Sequence, residues 1–118
     1  MAAAGSLLAA VTAAKRAGTG RPIEVDVESV AELEEALAAA PDIVMLDDFN
    51  QAELRAAVAL NRARGRPVKL EASGSVSLES VRAIAETGVD YISVGALTKN
   101  IRAVDLSMRL EFSRPPRP

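Results

Sequence analysis

The sequence predicts an α/β fold of parallel (β/α) units, and three observations point to it. Its 118 residues suffice for one compact domain with a hydrophobic core. Short apolar strand-like segments alternate with longer segments that have the period of a helix. The connections are short, which favours parallel strands with right-handed crossovers. Such units form either about half of an incomplete (β/α) barrel or a small open sheet. We expect this domain to span residues 1–112, before a disordered proline-rich tail at 113–118.

A helix and a strand are predicted at the start of the chain. Residues 6–17 are rich in alanine, with apolar side chains at helical spacing, and Gly18 follows as a C-terminal stop. Residues 22–27, "PIEVDV", then alternate apolar side chains with Glu24 and Asp26, which is the pattern of a strand. The two carboxylates are therefore predicted to share the face opposite the apolar one.

The second strand is predicted to end in two acidic residues. Ser29 can cap a helix over residues 30–40, and the apolar segment 43–46 follows as a strand with Asp47 and Asp48 directly after it. Parallel α/β folds bind their ligands at the carboxyl ends of strands. The remaining predicted elements are a helix at 51–65 capped by Asn50, a strand at 66–72, a helix at 78–88 begun by Ser77, a strand at 91–94 and a helix at 101–108.

Composition excludes several classes of function. The chain has no Cys and no His, which excludes disulfide scaffolds, zinc-thiolate sites and catalysis by a thiol or an imidazole. The net charge is −2, so the sequence shows no electrostatic signature of nucleic-acid binding. The opening "MAAAGSLLAAVTAAKRAG" carries its positive charge after the apolar residues and is too short to span a bilayer. We therefore expect no membrane segment and a cytoplasmic protein.

Two glycine-containing turns indicate a phosphate site. In "ASGSVS", Ser73, Gly74 and Ser75 directly follow a strand, where backbone N–H groups can bind an anion. Taken alone, this turn is better explained as a plain strand-to-helix connection. The segment "VGALTKN" repeats the arrangement after the next strand, with Gly95 in the turn and Lys99 as a positive charge. Neighbouring loops of a (β/α) barrel commonly bind one phosphate between them, so together the turns favour a phosphate ester.

Asp26 and Asp47 are candidate ligands for Mg²⁺. They lie on successive predicted strands and can converge at one end of the sheet, where carboxylates bind Mg²⁺ or sugar hydroxyls. Asp47 and Asp48 are equally typical of helix caps. Asp26 lies in the middle of a strand, where a carboxylate facing inwards is costly without a partner.

Several segments together resemble the carboxy-terminal half of the quinolinate phosphoribosyltransferase family. They are "IEVDVES", "AELEEAL", "DIVMLDDF" and "LEASGSVSLESVRAIAETGVDYISVGALTKNIRAVDLSMR". The similarity extends to about Arg109, and "AETGVDYISVGALT" followed by "AVDLS" is highly specific. The resemblance implies an incomplete (β/α) barrel. It also implies an Mg²⁺-dependent reaction that converts quinolinate and phosphoribosyl pyrophosphate to nicotinate mononucleotide, pyrophosphate and CO₂ in NAD synthesis.

The resemblance also implies roles for individual residues. Asp26 and Asp47 would be catalytic and metal-binding, near the ribose and the magnesium pyrophosphate. The implied phosphoribosyl-binding residues are Ser73, Gly74 and Ser75 in one turn and Gly95, Ala96 and Lys99 in the other. Family members usually have Glu at Asp26, Asn at Asp48, Gly at Ser75 and, in many cases, His at Lys99. The shorter Asp26 would retract a carboxylate, to which catalysis is sensitive.

Parts of the family pattern are missing from this sequence. The resemblance implies an amino-terminal domain whose arginines bind quinolinate across a dimer interface, and a Lys-containing segment just before Ala2. We therefore expect the chain to keep the phosphoribosyl end of the site and to be inactive alone. Two alternatives stay open: a non-catalytic half-barrel that binds phosphate or acts as an oligomerising scaffold, and another barrel enzyme acting on a phosphosugar. Because a half-barrel exposes sheet edges, we also expect a homo-oligomer.

Overall fold

The computed structural model describes residues 6–65 and 67–111. Four parallel strands form one sheet in sequential order: β1 (Glu24–Val27), β2 (Ile43–Asp47), β3 (Lys69–Ser73) and β4 (Tyr91–Ile92). The helices are α1 (Leu7–Ala17), α2 (Val30–Ala39), α3 (Gln51–Ala63), α4 (Val81–Ala85) and α5 (Ala96–Lys99). The predicted alternation of strands and helices is thereby confirmed.

The sheet has a helix-covered face and a polar face. Strand side chains such as Leu46 and Leu70 pack with helix side chains such as Leu33 and Leu54 in the hydrophobic core. Each of these four is at most 2% exposed. The opposite face carries alternate residues of the same strands and is rich in carboxylates. Sequential parallel strands with their core on the helix side form a slice of a (β/α) barrel, since a doubly wound sheet would change strand order and carry helices on both faces.

Three predicted helix boundaries are confirmed, at Gly18, Ser29 and Asn50, and Ser6 is a further cap that was not predicted. Ser6 accepts a hydrogen bond from the backbone N–H of Ala9 at the start of α1, and Gly18 ends that helix in the left-handed conformation. Asn50 forms a capping box with Glu53 at the start of α3. This box satisfies backbone N–H groups that would otherwise lack partners, and it fixes where the chain turns after β2.

Several predicted elements are shorter in the structure, most of all the fourth helix and the fourth strand. The fourth helix spans Val81–Ala85, because residues 78–80 form a separate turn in which Ser77 Oγ accepts from the backbone N–H of Ser80. The fourth strand ends at Ile92, although the N–H of Ser93 still donates to the carbonyl of Ala72 at 2.9 Å. Both differences concern element ends, where local hydrogen bonds compete with the regular pattern.

The predicted helix at 101–108 is wrong. After α5, residues 101–111 have no helix or strand, and the chain reaches 81 Å in its longest dimension. Apolar residues 104, 106, 108 and 110 alternate with polar ones, which is the period of an extended chain, and each is at least 70% exposed. Such a segment has no packed apolar face to stabilise a helix. Residue 112 and the predicted tail at 113–118 lie outside the described residues, so the domain boundary stays a prediction.

Within the described residues, no helix is long and apolar enough to cross a membrane.

Candidate functional site

A polar cavity of about 530 Å³ lies where β2, β3 and β4 reach their carboxyl ends. It collects every predicted site residue except Asp26. The lining residues are Asp47, Asp48, Ser73, Gly74, Ser75, Val76, Gly95, Ala96, Lys99 and Asn100. The structure therefore brings the two glycine turns together, as expected of loops that follow neighbouring parallel strands.

Asp26 lies outside this cavity. It is in β1, at an edge of the sheet, and lines a separate cavity of about 230 Å³ with Leu7 and Glu24. Asp26 pairs in register with Met45, so Asp47 lies one strand across and two residues further along, on the same face. Strand spacing and rise place the two Asp Cα atoms about 8 Å apart. Burial raises the pKa of Asp26, and the charges of Asp47 and Glu32 raise it further. The two acids thus interact electrostatically although they belong to different cavities.

The first turn is held by contacts between two loops. Gly74 has φ +114°, and a Cβ on it would collide with the Asp48 side chain and lie 3.0 Å from the Asp48 backbone nitrogen. The N–H of Ser75 donates to Asp48 Oδ1 at 3.3 Å, and the N–H of Asp48 donates to the carbonyl of Ser73 at 3.2 Å. Gly74 is therefore required by the chain's own packing, whether or not a ligand is bound.

In the second turn, packing does not require a glycine. A Cβ on Gly95 would meet Lys99 Cε at 3.8 Å, an ordinary contact, and the backbone has φ −61°. The N–H of Lys99 and the hydroxyl of Thr98 both donate to the carbonyl of Gly95, at 3.0 and 3.1 Å. The Thr98 hydroxyl thus donates its proton within the turn. Packing within the described residues therefore leaves room for a Cβ at position 95.

The cavity is lined by charges of both signs. Lys99 contributes a positive charge and makes no salt bridge within the described residues. Asp47 and Asp48 contribute two carboxylates on the same wall. The described residues contain no group of three or more acidic side chains arranged to hold a metal ion. An anion bound here would depend on Lys99, on backbone N–H groups and on any cation it carries with it.

Two acidic residues at or near the cavity were not predicted as site residues. Asp48 was considered as a helix cap, but the cap is Asn50, and Asp48 lines the cavity instead. Glu71 lies on the polar face of β3 and accepts a hydrogen bond from the Ser93 hydroxyl. Its alternation with Leu70 and Ala72 in "KLEAS" was a signal that could have found it.

Comparison with known proteins reveals the family. Residues 1–109 match the family model described as "Quinolinate phosphoribosyl transferase, C-terminal domain". The chain belongs to the quinolinate phosphoribosyl transferase family.

Similar proteins and structures agree with this assignment. The chain is 40% identical over 110 residues to nicotinate-nucleotide pyrophosphorylase [carboxylating] of Mycobacterium leprae, covering 93% of this chain and 39% of that protein. The same enzyme of Rattus norvegicus is 41% identical over 110 residues, which cover 92% and 36% of the two chains. The structure of nicotinate-nucleotide pyrophosphorylase from Francisella tularensis matches with a TM-score of 0.76 and 50% identity, over 86% of this chain and 36% of that one. The chain thus spans less than two fifths of the length of these relatives.

Proposed function

We propose that the cavity binds the phosphate of a phosphoribosyl ligand, as part of a phosphoribosyltransferase that forms nicotinate mononucleotide, pyrophosphate and CO₂ from quinolinate and phosphoribosyl pyrophosphate. The observation that carries the proposal is that both glycine turns and Lys99 line one cavity at the carboxyl ends of the strands. Family membership and the names of the relatives support the choice of reaction. The substrates belong to whole family proteins, of which this chain matches a part.

Within this proposal, Lys99 supplies the charge that attracts a phosphate group. Gly95 allows the group to approach the backbone closely, because the position would otherwise carry a Cβ at the surface of the cavity. Ser73 and Ser75, which line the same cavity, add hydroxyl donors. The phosphate would thus be bound between the turn after β3 and the turn after β4, and the ribose would extend towards the acids of β1 and β2.

The acidic residues fit a magnesium ion that arrives with the substrate. Asp47 on the cavity wall and Asp26 on the neighbouring strand offer carboxylate oxygens, the ligands that Mg²⁺ prefers. Mg²⁺ is commonly held by one or two carboxylates together with substrate phosphates, which suits a site with no larger acidic group in its described part. When bound, the ion would neutralise charge that develops on the pyrophosphate leaving group.

The test is a calorimetric titration of the chain with phosphoribosyl pyrophosphate and Mg²⁺. We expect the wild-type chain to bind. Lys99→Met should weaken binding at least tenfold, because the exposed ammonium group of Lys99 is the cation nearest the turns, and Asp47→Ala should weaken binding as well. Lys69→Met is the control for charge, since it removes the same charge at the amino end of β3; because Lys69 also pairs with Asp90, thermal unfolding establishes that both variants are folded. No binding by the folded wild-type chain, or equal losses in Lys69→Met and Lys99→Met, would refute the phosphate site.

A second candidate function is a non-catalytic scaffold that self-associates. The observations that favour it are the unpaired edges of β1 and β4 within the described sheet and the exposed apolar side chains of residues 101–110. Sedimentation velocity at micromolar concentration tests it, because a monomer would contradict the expected homo-oligomer. Quinolinate turnover by the chain alone would contradict the scaffold and also the expectation that the chain is inactive alone. Cytoplasmic location stays a prediction from the sequence.

A further inference from the structure

Asp48 has an unusual backbone conformation in the wall of the phosphate cavity. Its φ is 55°, in the left-handed region that few non-glycine residues adopt. Helix capping does not explain the residue, because the Asn50 side chain accepts from the N–H groups of Ala52 and Glu53 at the start of α3. Residues held in such conformations concentrate at functional sites, where surrounding contacts stabilise them. The contacts that stabilise Asp48 therefore indicate what it does.

Within the described residues, the hydrogen bonds of Asp48 are with the glycine turn after β3. The backbone N–H of Asp48 donates to the carbonyl of Ser73 at 3.2 Å, and its Oδ1 accepts from the N–H of Ser75 at 3.3 Å. Asp48 also fills the space where a Cβ of Gly74 would be. Asp48 thus contacts each residue of the turn proposed to bind phosphate, and it fixes the shape of that turn.

The same side chain opposes a bound anion. Its carboxylate lies on the wall of the cavity, and it occupies the Ser75 N–H, which is then less available to a ligand. Lys99 is the cation on the cavity wall, whereas Asp47 and Asp48 are both acidic. A free phosphate therefore meets a wall on which carboxylates outnumber ammonium groups.

We propose that Asp48 is a positioning residue whose hydrogen bond shapes the phosphate turn while its charge lowers the affinity for free phosphate. The proposal rests on the proposed function, since it concerns the same cavity. Asn in place of Asp48 keeps an oxygen acceptor for the Ser75 N–H, tolerates the left-handed backbone and removes the charge. Gly in its place keeps the backbone conformation and removes both the charge and the hydrogen bond. The two variants therefore separate the two effects.

The experiment measures the affinity of the chain for inorganic phosphate by calorimetry, at low and high sodium chloride. We expect Asp48→Asn to bind about three- to tenfold more tightly than wild type at low salt, with a smaller gain at high salt. We expect Asp48→Gly to bind at least about threefold more weakly than Asp48→Asn, because its turn is less ordered. Circular dichroism and thermal unfolding establish that each variant is folded.

Asp42→Asn is the matched control. Its carboxylate accepts a hydrogen bond from the N–H of Ile23 at 2.7 Å, so this change also removes one charge and keeps an acceptor, but just before the start of β2. We expect it to bind phosphate as wild type does. An equal gain in phosphate affinity in Asp42→Asn would show that the effect comes from net charge alone, and it would overturn the role of Asp48.

The outcomes separate this inference from the proposed function. If wild type binds phosphate and Asp48→Asn binds no more tightly, the inference is overturned and the phosphate site stands. If Asp48→Gly equals Asp48→Asn, the positioning role is overturned. If no variant binds phosphate at millimolar concentration while all are folded, the phosphate site is overturned and this inference with it.

Discussion

Replacing Gly74 by Ala should destabilise the chain, because the structure gives this position two separate reasons to be glycine. The backbone has φ +114°, which an L side chain adopts at a cost of about 1 kcal/mol or more. The added Cβ would also lie 3.0 Å from the Asp48 nitrogen and 3.1 Å from its Cα. These are backbone atoms, so a side-chain rotation cannot relieve the contact, and overpacking of this kind costs about 1–3 kcal/mol. The sum is a loss of about 2–4 kcal/mol in the free energy of unfolding.

Gly95→Ala is the comparison that makes this measurement informative. Its added Cβ meets Lys99 Cε at 3.8 Å and its backbone has φ −61°, so we expect a change within about 0.5 kcal/mol. Urea denaturation of both variants gives the two free energies, and the melting temperature of Gly74→Ala should fall by about 10 °C or more. Calorimetry should show that Gly95→Ala weakens the affinity for phosphate, because the added Cβ obstructs the ligand while the fold stays intact. Equal stabilities of the two variants would refute the steric reasoning at Gly74.

Three further predictions concern stability. Asn61→Leu should lose about 2–4 kcal/mol in urea denaturation, because Asn61 is 4% exposed and bonds both the N–H and the carbonyl of Val68, which would be left without partners; a loss below about 0.5 kcal/mol would contradict this. Burial acts to raise the pKa of Asp90, but hydrogen bonds from Lys69 and a backbone N–H, with nearby positive charges, hold it below its ordinary value of 3.8. The stabilisation is therefore present above pH 3.8 and lost as the pH falls through the lower folded pKa, so Asp90→Asn should lower the urea midpoint at pH 7 and match wild type at strongly acidic pH. Ending the chain at Asn100 should leave the thermal midpoint unchanged, since the described residues beyond it lie exposed without regular structure; a fall of several degrees would show that they pack.

The order of elements could be predicted from the sequence because each depends on local signals. The alternation in β1 and the caps at Ser29 and Asn50 involve residues within a few positions of one another, and the structure has them as predicted. The helix prediction for residues 101–108 was wrong because the apolar residues fit two periods. They alternate with a two-residue period, and they also include pairs four apart, such as Val104 and Met108. Choosing between the two periods requires knowing what the apolar side chains pack against.

The site was predictable to the extent that it follows from topology. Turns after adjacent parallel strands are necessarily neighbours, which is why Gly74 and Gly95 line one cavity. The interaction of Asp48 with Ser75 was not predictable, because it depends on a left-handed backbone at a non-glycine residue and on a contact across 27 positions. The separation of Asp26 from Asp47 also required coordinates, since the sequence places Asp47 at a strand end and Asp26 within a strand without giving the register.

The polar face of the sheet suggests why the acids of this chain lie together. Burial raises the pKa of Glu24, and the charges of Glu71 and Asp26 raise it further. Asp26 is affected in the same direction by burial and by Asp47, so carboxylates on three adjacent strands repel one another. Such repulsion destabilises the native state. Because their pKa values are raised, the carboxyl groups bind protons more tightly in the native state than in the unfolded chain, so stability falls as these protons are lost with rising pH. A positive charge brought to this face would relieve the repulsion. Under the proposed function, a bound Mg²⁺ ion and the cationic ribose of the transition state would supply such charge, so the acids would stabilise the transition state more than the ground state.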